Sequence, residues 1–378
     1  MNFRYFKPAG QMVSLLGFGT MRLPVIDKTP SKIDEPAAIE MIRHAIDSGV
    51  NYIDTAYMYH GGNSESVTGK ALKDGYRDKV LLADKMPVWL AKAPEDLCSI
   101  FDEQLKRLDT DHIDLYLIHN VTKGIWDRAL KFGIFDFLEE KKAEGRIKHI
   151  GFSFHDDLDM FKKAIDAYPW DFCQIQLNYM DVRLQAGVEG LKYAGAKGIP
   201  VVIMEPLKGG KLTDAVPDSV RDLWASAKIK KTPAEWALRW VANFPEVVTI
   251  LSGMTTIEQV RENIRILSDA TPDSLSPDDL ALISKASEEY NRLIKASCTA
   301  CQYCMPCPAK LAIPDLLNYY NEWFLYGQNP KVLADFNMFI HPKARPSACT
   351  GCRACELKCP QHLPIADIMK EMAAIFEK

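Results

Sequence analysis

The sequence predicts a (β/α)8 TIM barrel followed by a small all-α domain built around cysteines. Three observations carry this reading. Between residues 15 and 253, eight short apolar segments alternate with amphipathic helical stretches, which is the size and rhythm of such a barrel. A doubly wound sheet would show a similar alternation, but no G-x-G-x-x-G follows the first segment. Eight of the ten cysteines crowd into residues 298–359, where the alternation has stopped.

The elements follow in order. An N-terminal pair, "FRYFKP" and "MVSLLG", reads as a hairpin that caps the barrel floor. The eight strands are "LLGFGT", "YIDTA", "VLLADK", "IDLYLIH", "IKHIGFS", "FCQIQLN", "PVVIME" and "VTILSG", starting at residues 15, 52, 80, 113, 147, 172, 200 and 248. Most are nearly unbroken apolar runs, as parallel strands buried on both faces require. Among the helices, Ile39, Ile42 and Ile46 form a stripe between Pro36 and Gly49, and Leu97, Phe101, Leu105 and Leu108 form another after Pro94. After the eighth unit, "SPDDLALISKASEEYNRLI" is one more helix. The cysteine region then holds three apolar helical segments, "IPDLLNYYNEWFLYG", "KVLADFNMFI" and "PIADIMKEMAAIFEK". The expected domains are the barrel, residues 1–296, and the cysteine-bearing helical domain, residues 297–378.

At a net charge of −4 no global positive field draws nucleic acid or an anionic membrane. No apolar run reaches the roughly 18 residues of a membrane span. The N-terminal "MNFRYFKPAGQ" lacks the apolar core of a signal peptide. A cytoplasmic protein is expected, in which thiols stay reduced and clustered cysteines point to metal rather than disulfides. Cys98 and Cys173, outside the cluster, read as small core residues.

In barrels of this kind chemistry sits at the C-terminal ends of the strands. The second strand leads to Asp54 and Tyr59, the third ends in Lys85 and the fourth in His119. An acid, a phenol, an amine and an imidazole from three neighbouring strands suit carbonyl reduction, whose oxygen needs a proton as hydride arrives. Tyr59 is the candidate donor. Lys85 beside it would lower the phenol's pKa, Asp54 would pair with Lys85, and a neutral His119 would orient the carbonyl oxygen. Singly, each is ordinary: a strand-end cap, a half-buried aromatic, a solvated amine, a structural histidine. Their convergence on three successive strand ends singles them out. Trp89 and Trp126, in the loops after strands three and four, are candidate pocket walls, and His60 and His155 candidate rim residues.

These residues, within "NYIDTAYMYHGGNSE", "LLADK" and "IDLYLIH" and together with "IKHIGFS" and "TIEQVREN", resemble the aldo/keto reductase family across residues 3–268. The resemblance implies hydride exchange between a nicotinamide cofactor and a small carbonyl or alcohol substrate. It implies Ser153 and Gln174 at the carboxamide, and Met204 where many members stack an aromatic on the nicotinamide. Glu205, Leu207, Gly209 and Gly210 of "MEPLKGGKL" match the loop that covers the pyrophosphate. In "GMTTIEQVREN", Glu262 and Asn263 match adenine ligands, with Gly253, Thr255 and Gln259 as further cofactor positions. Gly253 and Gln259 stand where NADP-preferring members often place lysine and arginine. Arg261, Lys208 or Lys211 would then supply the charge that a 2′-phosphate wants. NADP(H) is expected, with NAD(H) the alternative.

The second cysteine run, Cys349, Cys352, Cys355 and Cys359, has the C-x2-C-x2-C-x3-C-P spacing of bacterial ferredoxins. Zinc sites prefer two separated C-x2-C pairs, often with histidine. The first run, Cys298, Cys301, Cys304 and Cys307, repeats the pattern with its last gap shortened. In two-cluster ferredoxins the fourth cysteine of each run serves the other cluster. Two 4Fe-4S clusters are therefore expected, one on Cys298, Cys301, Cys304 and Cys359, the other on Cys349, Cys352, Cys355 and Cys307. The helical insert resembles the helical ferredoxin domain of respiratory iron–sulfur subunits. The whole chain resembles the branch of aldo/keto reductases with a ferredoxin-type tail. A nicotinamide moves two electrons as hydride and a cubane moves one, so the tail's task stays open. It exchanges electrons with a protein partner, senses redox state and gates the barrel, or is structural. Alternatively the barrel is a regulatory binding module, not the catalyst, and the clusters are the functional centre.

Overall fold

The structure, a computed structural model, describes residues 1–213, 216–325 and 327–377. Tyr326 and Lys378, at the ends of two stretches read as helical, lie outside the described residues. The chain groups into two compact units: Met1–Leu207 with Ala234–Leu275, and Lys208–Pro233 with Ser276–Lys378.

The first unit opens with an antiparallel hairpin, β1 (Phe3–Phe6) and β2 (Gln11–Ser14). Eight strands follow: β3 (Leu16–Gly19), β4 (Tyr52–Asp54), β5 (Leu81–Met86), β6 (Ile113–Val121), β7 (Ile147–Phe154), β8 (Phe172–Gln176), β9 (Val201–Met204) and β10 (Val247–Gly253). All are parallel and close into a barrel in the order β10-β3-β4-β5-β6-β7-β8-β9. Each of the eight expected strands is present. Around them run α1 (Glu35–Asp47), α2 (Ser64–Ala71), α3 (Asp96–Leu108), α4 (Lys123–Lys131), α5 (Ile134–Ala143), α6 (Leu158–Asp166) and α7 (Gly187–Ala196). The chain then passes through α8 (Asp218–Ser226), in the second unit, and returns for α9 (Pro233–Ala242) and α10 (Ile257–Leu267).

The hairpin plugs one mouth of the barrel. Phe6 and Val13 pack in one apolar cluster with Tyr52, Leu81, Phe172 and Val248, residues at or near the first positions of their strands. Burying each such side chain stabilises the fold by about 1.5–3 kcal/mol. The opposite mouth, where the strands end, is left for polar chemistry.

Helix α1 is capped by Asp34, whose Oδ1 accepts from the Ala37 N–H at 3.3 Å. It buries Ala38, Met41, Ile42, Ala45 and Ile46, while Ile39 is only half-buried. The stripe is thus centred one position from where the isoleucines alone suggest, because Ala38, Met41 and Ala45 carry it. The α3 stripe of Leu97, Phe101, Leu105 and Leu108 is buried as read. Helices α2 and α3 meet almost backbone to backbone: a Cβ on Gly69 would lie 2.5 Å from the Leu108 carbonyl oxygen.

In the second unit α11 (Pro277–Leu293) starts at a capping box between Ser276 and Asp279. It is followed by α12 (Ile313–Leu325), α13 (Pro330–Phe339) and α14 (Ile365–Phe376). Leu316, Leu317, Tyr320, Phe336, Met369 and Met372 form the core of this unit. Ser219, just inside α8, donates to Glu289 of α11 at 2.7 Å, so the 208–233 excursion belongs with the C-terminal helices although it precedes them in sequence. Asn321 of α12 fixes the chain just before the cysteines. Its Oδ1 accepts from Lys295 N (3.1 Å) and Ala296 N (2.8 Å), and its Nδ2 donates to Ala296 O (2.5 Å). Among the described residues no helix is long and apolar enough to cross a membrane.

Candidate active site and cysteine cages

Strands β4, β5 and β6 deliver the four polar residues to one place. Lys85 Nζ donates to Asp54 Oδ1 (2.6 Å) and to the Thr55 carbonyl (2.7 Å), and reaches Tyr59 Oη at 3.5 Å. The same ammonium lies 5.1 Å from the centre of the Tyr59 ring. Asp54, Lys85 and His119 are 3%, 1% and 2% exposed, whereas Tyr59 is half-buried. Bulk water therefore does little to screen these charges. The His119 ring meets Tyr59 edge-on at 6.2 Å and Trp89 at 5.0 Å.

Burial pushes the Asp54 carboxyl above the usual carboxylate range, with Lys85 pulling the other way. Burial also drives the Tyr59 phenol well up, helped by the charges of Asp54, Glu205 and Asp84 and opposed by Arg22. Burial dominates, so the net direction is upward even with the Lys85 ammonium 3.5 Å from the hydroxyl. The phenol stays protonated at neutral pH. His119 is driven far down by burial, then by the charges of Lys85 and His155, so its imidazole is neutral, as expected.

The remaining positions fall into groups. Ser153 of β7 and Gln174 of β8 are register partners and both are 1% exposed. Ser153 Oγ accepts from Asn120 N at 2.8 Å, while Gln174 Oε1 is buried with no partner, an acceptor waiting for a donor. Met204 ends β9. Glu205 has left-handed φ of 56° and pairs with Arg22 at 3.7 Å. Leu207 closes this part of the first unit, and Gly209 and Gly210, also left-handed at 66° and 89°, belong to the second. A Cβ on Gly253 would lie 3.1 Å from Arg22 Cβ. Thr255 Oγ1 donates to Arg22 O (3.1 Å), and Thr255 N donates to Gln259 Oε1 (2.8 Å). Glu262 is half-buried, whereas Asn263 is turned inward and donates to Ser252 Oγ at 3.0 Å.

The readings of Trp126, His155 and Cys98 change. Trp126 is 1% exposed and packs on Phe135 and Trp170, so it is core and not a pocket wall. His60 ties loops together, its Nδ1 on Pro30 O and its Nε2 accepting from Leu23 N. His155 is buried, not on a rim. Cys173 is a core residue, but Cys98 is only half-buried.

The cysteines form two cages. One pocket is lined by Cys298, Cys301, Cys304 and Cys359. The other is lined by Cys307, Cys349, Cys352 and Cys355. Ile365 lines both, so the cages are neighbours. The two runs also repeat a backbone pattern. Ala300 and Gly351 have φ of 56° and 69°, and Gln302 and Arg353 have φ of 69° and 55°, at matching positions between cysteines. Alternation of this kind turns N–H groups inward and makes anion-binding concavities, and Ala300 N donates to Cys298 Sγ at 3.3 Å. Among the described residues no three His, Cys, Asp or Glu side chains close on one point as around a single ion.

The aldo/keto reductase family model matches residues 15–288, nearly the whole span that carries the barrel and its four convergent side chains. The chain belongs to the aldo/keto reductase family. A second match, to a 4Fe-4S dicluster domain, covers residues 297–363. This aldo/keto reductase is 28% identical to an NADH-specific methylglyoxal reductase of Escherichia coli over 74% of the chain and 96% of that protein. It is 26% identical to L-galactose dehydrogenase of Arabidopsis thaliana, over 75% and 93%. Its structure is similar to the holo form of an aldo-keto reductase from Bacillus halodurans, with TM-score 0.63, 27% identity and coverage of 76% and 96%. A Klebsiella pneumoniae aldo/keto reductase solved with NADP and acetate matches with TM-score 0.57, 26% identity and coverage of 74% and 93%.

Sequence reasoning passed over the residues that support the reductase tetrad from behind. Thr55 contributes through its carbonyl, which no side-chain pattern reveals. Arg22, beside Gly253 and Glu205, lies far in sequence from the segments that carry Lys208, Lys211 and Arg261. Asp84 was visible as an acid inside the apolar run "VLLADK", and Glu65 as an acid in a short helix, but nothing in the sequence joins them.

Proposed function

We propose that the chain moves hydride between a nicotinamide dinucleotide and a small carbonyl or alcohol, with Tyr59 as proton donor in the reducing direction. The observation that carries this is the buried Lys85 ammonium, held by Asp54 and Thr55 and reaching the Tyr59 hydroxyl. A bound nicotinamide supplies or accepts the hydride, and the chain's own residues do the rest. Tyr59 keeps its proton until charge develops on the substrate oxygen, and Lys85 then stabilises the phenolate. Neutral His119 orients that oxygen. Ser153 and the orphan Oε1 of Gln174 suit a carboxamide. Met204, Glu205, Leu207, Gly209, Gly210, Gly253, Thr255, Gln259, Glu262 and Asn263 are the further dinucleotide positions. NADP(H) is favoured because Arg22 adds a cation beside Gly253, and NAD(H) is the alternative.

In this reading the tail holds two 4Fe-4S clusters, on Cys298, Cys301, Cys304 and Cys359 and on Cys307, Cys349, Cys352 and Cys355. Its support is the division of the eight cysteines into two cavities. The clusters serve one-electron exchange with a protein partner, in the reducing environment of a cytoplasm.

Tyr59→Phe removes the proton and little volume. In anaerobic assays over a panel of aldehydes and ketones it lowers kcat by a factor on the order of 10² or more, while dinucleotide binding followed by fluorescence persists. An active phenylalanine variant overturns the role. A native protein that binds dinucleotide and reduces no carbonyl points instead to the regulatory module.

A further inference from the structure

Strand β6, which carries His119, is irregular at its end. It pairs with β7 with Ile118 opposite Phe152, and the pairing resumes with Val121 opposite Phe154. His119 and Asn120 therefore stand against a single residue of β7, Ser153. That is a β-bulge, rare between parallel strands and frequent beside active sites, where it re-aims side chains. Asn120 has φ of 57°, in the left-handed region that asparagine enters more readily than most side chains and glycine enters freely. Its N–H donates to Ser153 Oγ at 2.8 Å and not to a carbonyl of the ladder. Val121 O then accepts from His155 N at 3.0 Å, so backbone pairing returns at the next residue.

This bond decides what the serine can offer. A hydroxyl has one hydrogen to donate and two lone pairs to accept with. One lone pair of the buried Ser153 Oγ takes the Asn120 N–H, so the hydrogen of the hydroxyl must point elsewhere. No acceptor among the described residues takes it. Gln174, the register partner of Ser153 on β8, holds a buried Oε1 that no donor reaches. The two side chains thus present one donor and one acceptor side by side, the complement of a primary carboxamide. The side-chain oxygen of Asn120 is itself buried without a partner, so what this residue supplies is its backbone.

We propose that Asn120 is a positioning residue: its left-handed backbone aims the peptide N–H at Ser153 Oγ and so holds that hydroxyl as a hydrogen donor toward the nicotinamide carboxamide. This inference rests on the carboxamide role proposed for Ser153 and Gln174. A residue at this position must accept φ near 57° for the bond to form. Where it resists, the peptide turns, its N–H leaves Oγ, and the serine can swing its hydrogen away from the cofactor. His119 is the other residue of the bulge and meets Tyr59 edge-on. One distortion of β6 therefore serves the carbonyl end and the nicotinamide end of the site together.

The test measures binding and needs no turnover. The full chain, handled without oxygen, is titrated with NADPH and NADH by fluorescence, and with ADP-ribose and 2′-phospho-ADP-ribose by calorimetry. The last two keep the adenine half and lack the carboxamide. Asn120→Ala, which disfavours the left-handed region, should weaken dinucleotide binding by about threefold to tenfold and leave the ADP-ribose compounds within about twofold of native. Asn120→Gly, which keeps the N–H and enters that region freely, should bring dinucleotide binding back to the native value. Ser153→Ala should weaken the dinucleotide to a similar degree, and adding Asn120→Ala to it should cost little more. Binding of the ADP-ribose compounds also reports that each variant is folded. A glycine variant as impaired as the alanine variant would assign the effect to the side chain and overturn the proposal. So would an alanine variant that binds like native, one that loses ADP-ribose equally, or a double variant whose losses multiply. A Ser153→Ala variant that binds like native, or a native chain that binds neither dinucleotide, would instead sink the carboxamide reading, and the proposal with it.

Discussion

Replacing Lys85 with methionine keeps the length of the side chain and removes its charge. The ammonium lies 2.6 Å from Asp54 Oδ1, and both side chains are almost wholly buried. At an effective dielectric of about 20, unit charges at that distance attract by roughly 6 kcal/mol. This attraction offsets the cost of burying two ions. In the variant Asp54 stays buried with no cation, and its Oδ2 already lacks a partner. Breaking a buried pair from one side costs about 3–5 kcal/mol. For a barrel of this size that is a fall in melting temperature of roughly 10 °C. The loss depends on pH. Burial already raises Asp54 despite Lys85, and without the lysine it rises further. A carboxyl raised on folding stabilises the fold below its unfolded value, and that contribution disappears as pH rises through the folded value. The deficit should therefore be larger near pH 7.5 than near pH 5.5. Anaerobic circular-dichroism melts of the native chain, Lys85→Met, and Lys85→Met combined with Asp54→Asn measure this. The double variant should regain most of the loss. A single variant melting within about 2 °C of the native protein, or a double variant no better than the single, would refute the reasoning.

Gly69→Ala should lower the stability of the barrel by about 1–3 kcal/mol, because its new methyl would meet the Leu108 carbonyl. A melt unchanged from native would show that α2 and α3 separate freely. Asn321→Ala strips three hydrogen bonds from the entry to the first cysteine run and should cost about 3 kcal/mol. Faster loss of iron to a chelator, with dinucleotide binding intact, is the expected readout. Purified without oxygen, the native protein should hold about eight iron and eight sulfide per chain. Cys359→Ser should lose about half of that or more, although Cys359 lies in the second run, and stoichiometric zinc without sulfide would exclude the clusters.

The barrel was legible because its signal is repetition. Eight apolar runs of similar length recur at similar spacing, and the strand ends then indicate where Asp54, Lys85 and His119 must gather. The cysteine partition was legible for a related reason: spacing dictates which thiols share a cage, and the crossing of Cys307 and Cys359 follows from a rule about fourth cysteines. What escaped depends on contacts between elements distant in sequence. Trp126 looks like a loop aromatic until Phe135 and Trp170 are seen around it. Lys85 seems free to set the Tyr59 phenol until burial and the Thr55 carbonyl are counted. The link between the 208–233 excursion and α11 rests on pairs such as Ser219 with Glu289, which no periodicity announces.

Each cysteine run contributes three thiols to one cage and its last thiol to the other, so neither run can complete a cage by itself. The arrangement works as an interlock. The long helical insert between the runs becomes a loop pinned at both ends, and its freedom is surrendered in one step rather than two. A cluster in either cage would already join the two runs and close the insert. The second cluster would then meet thiols whose spacing the first has fixed, and damage confined to one cage would leave the two runs still joined.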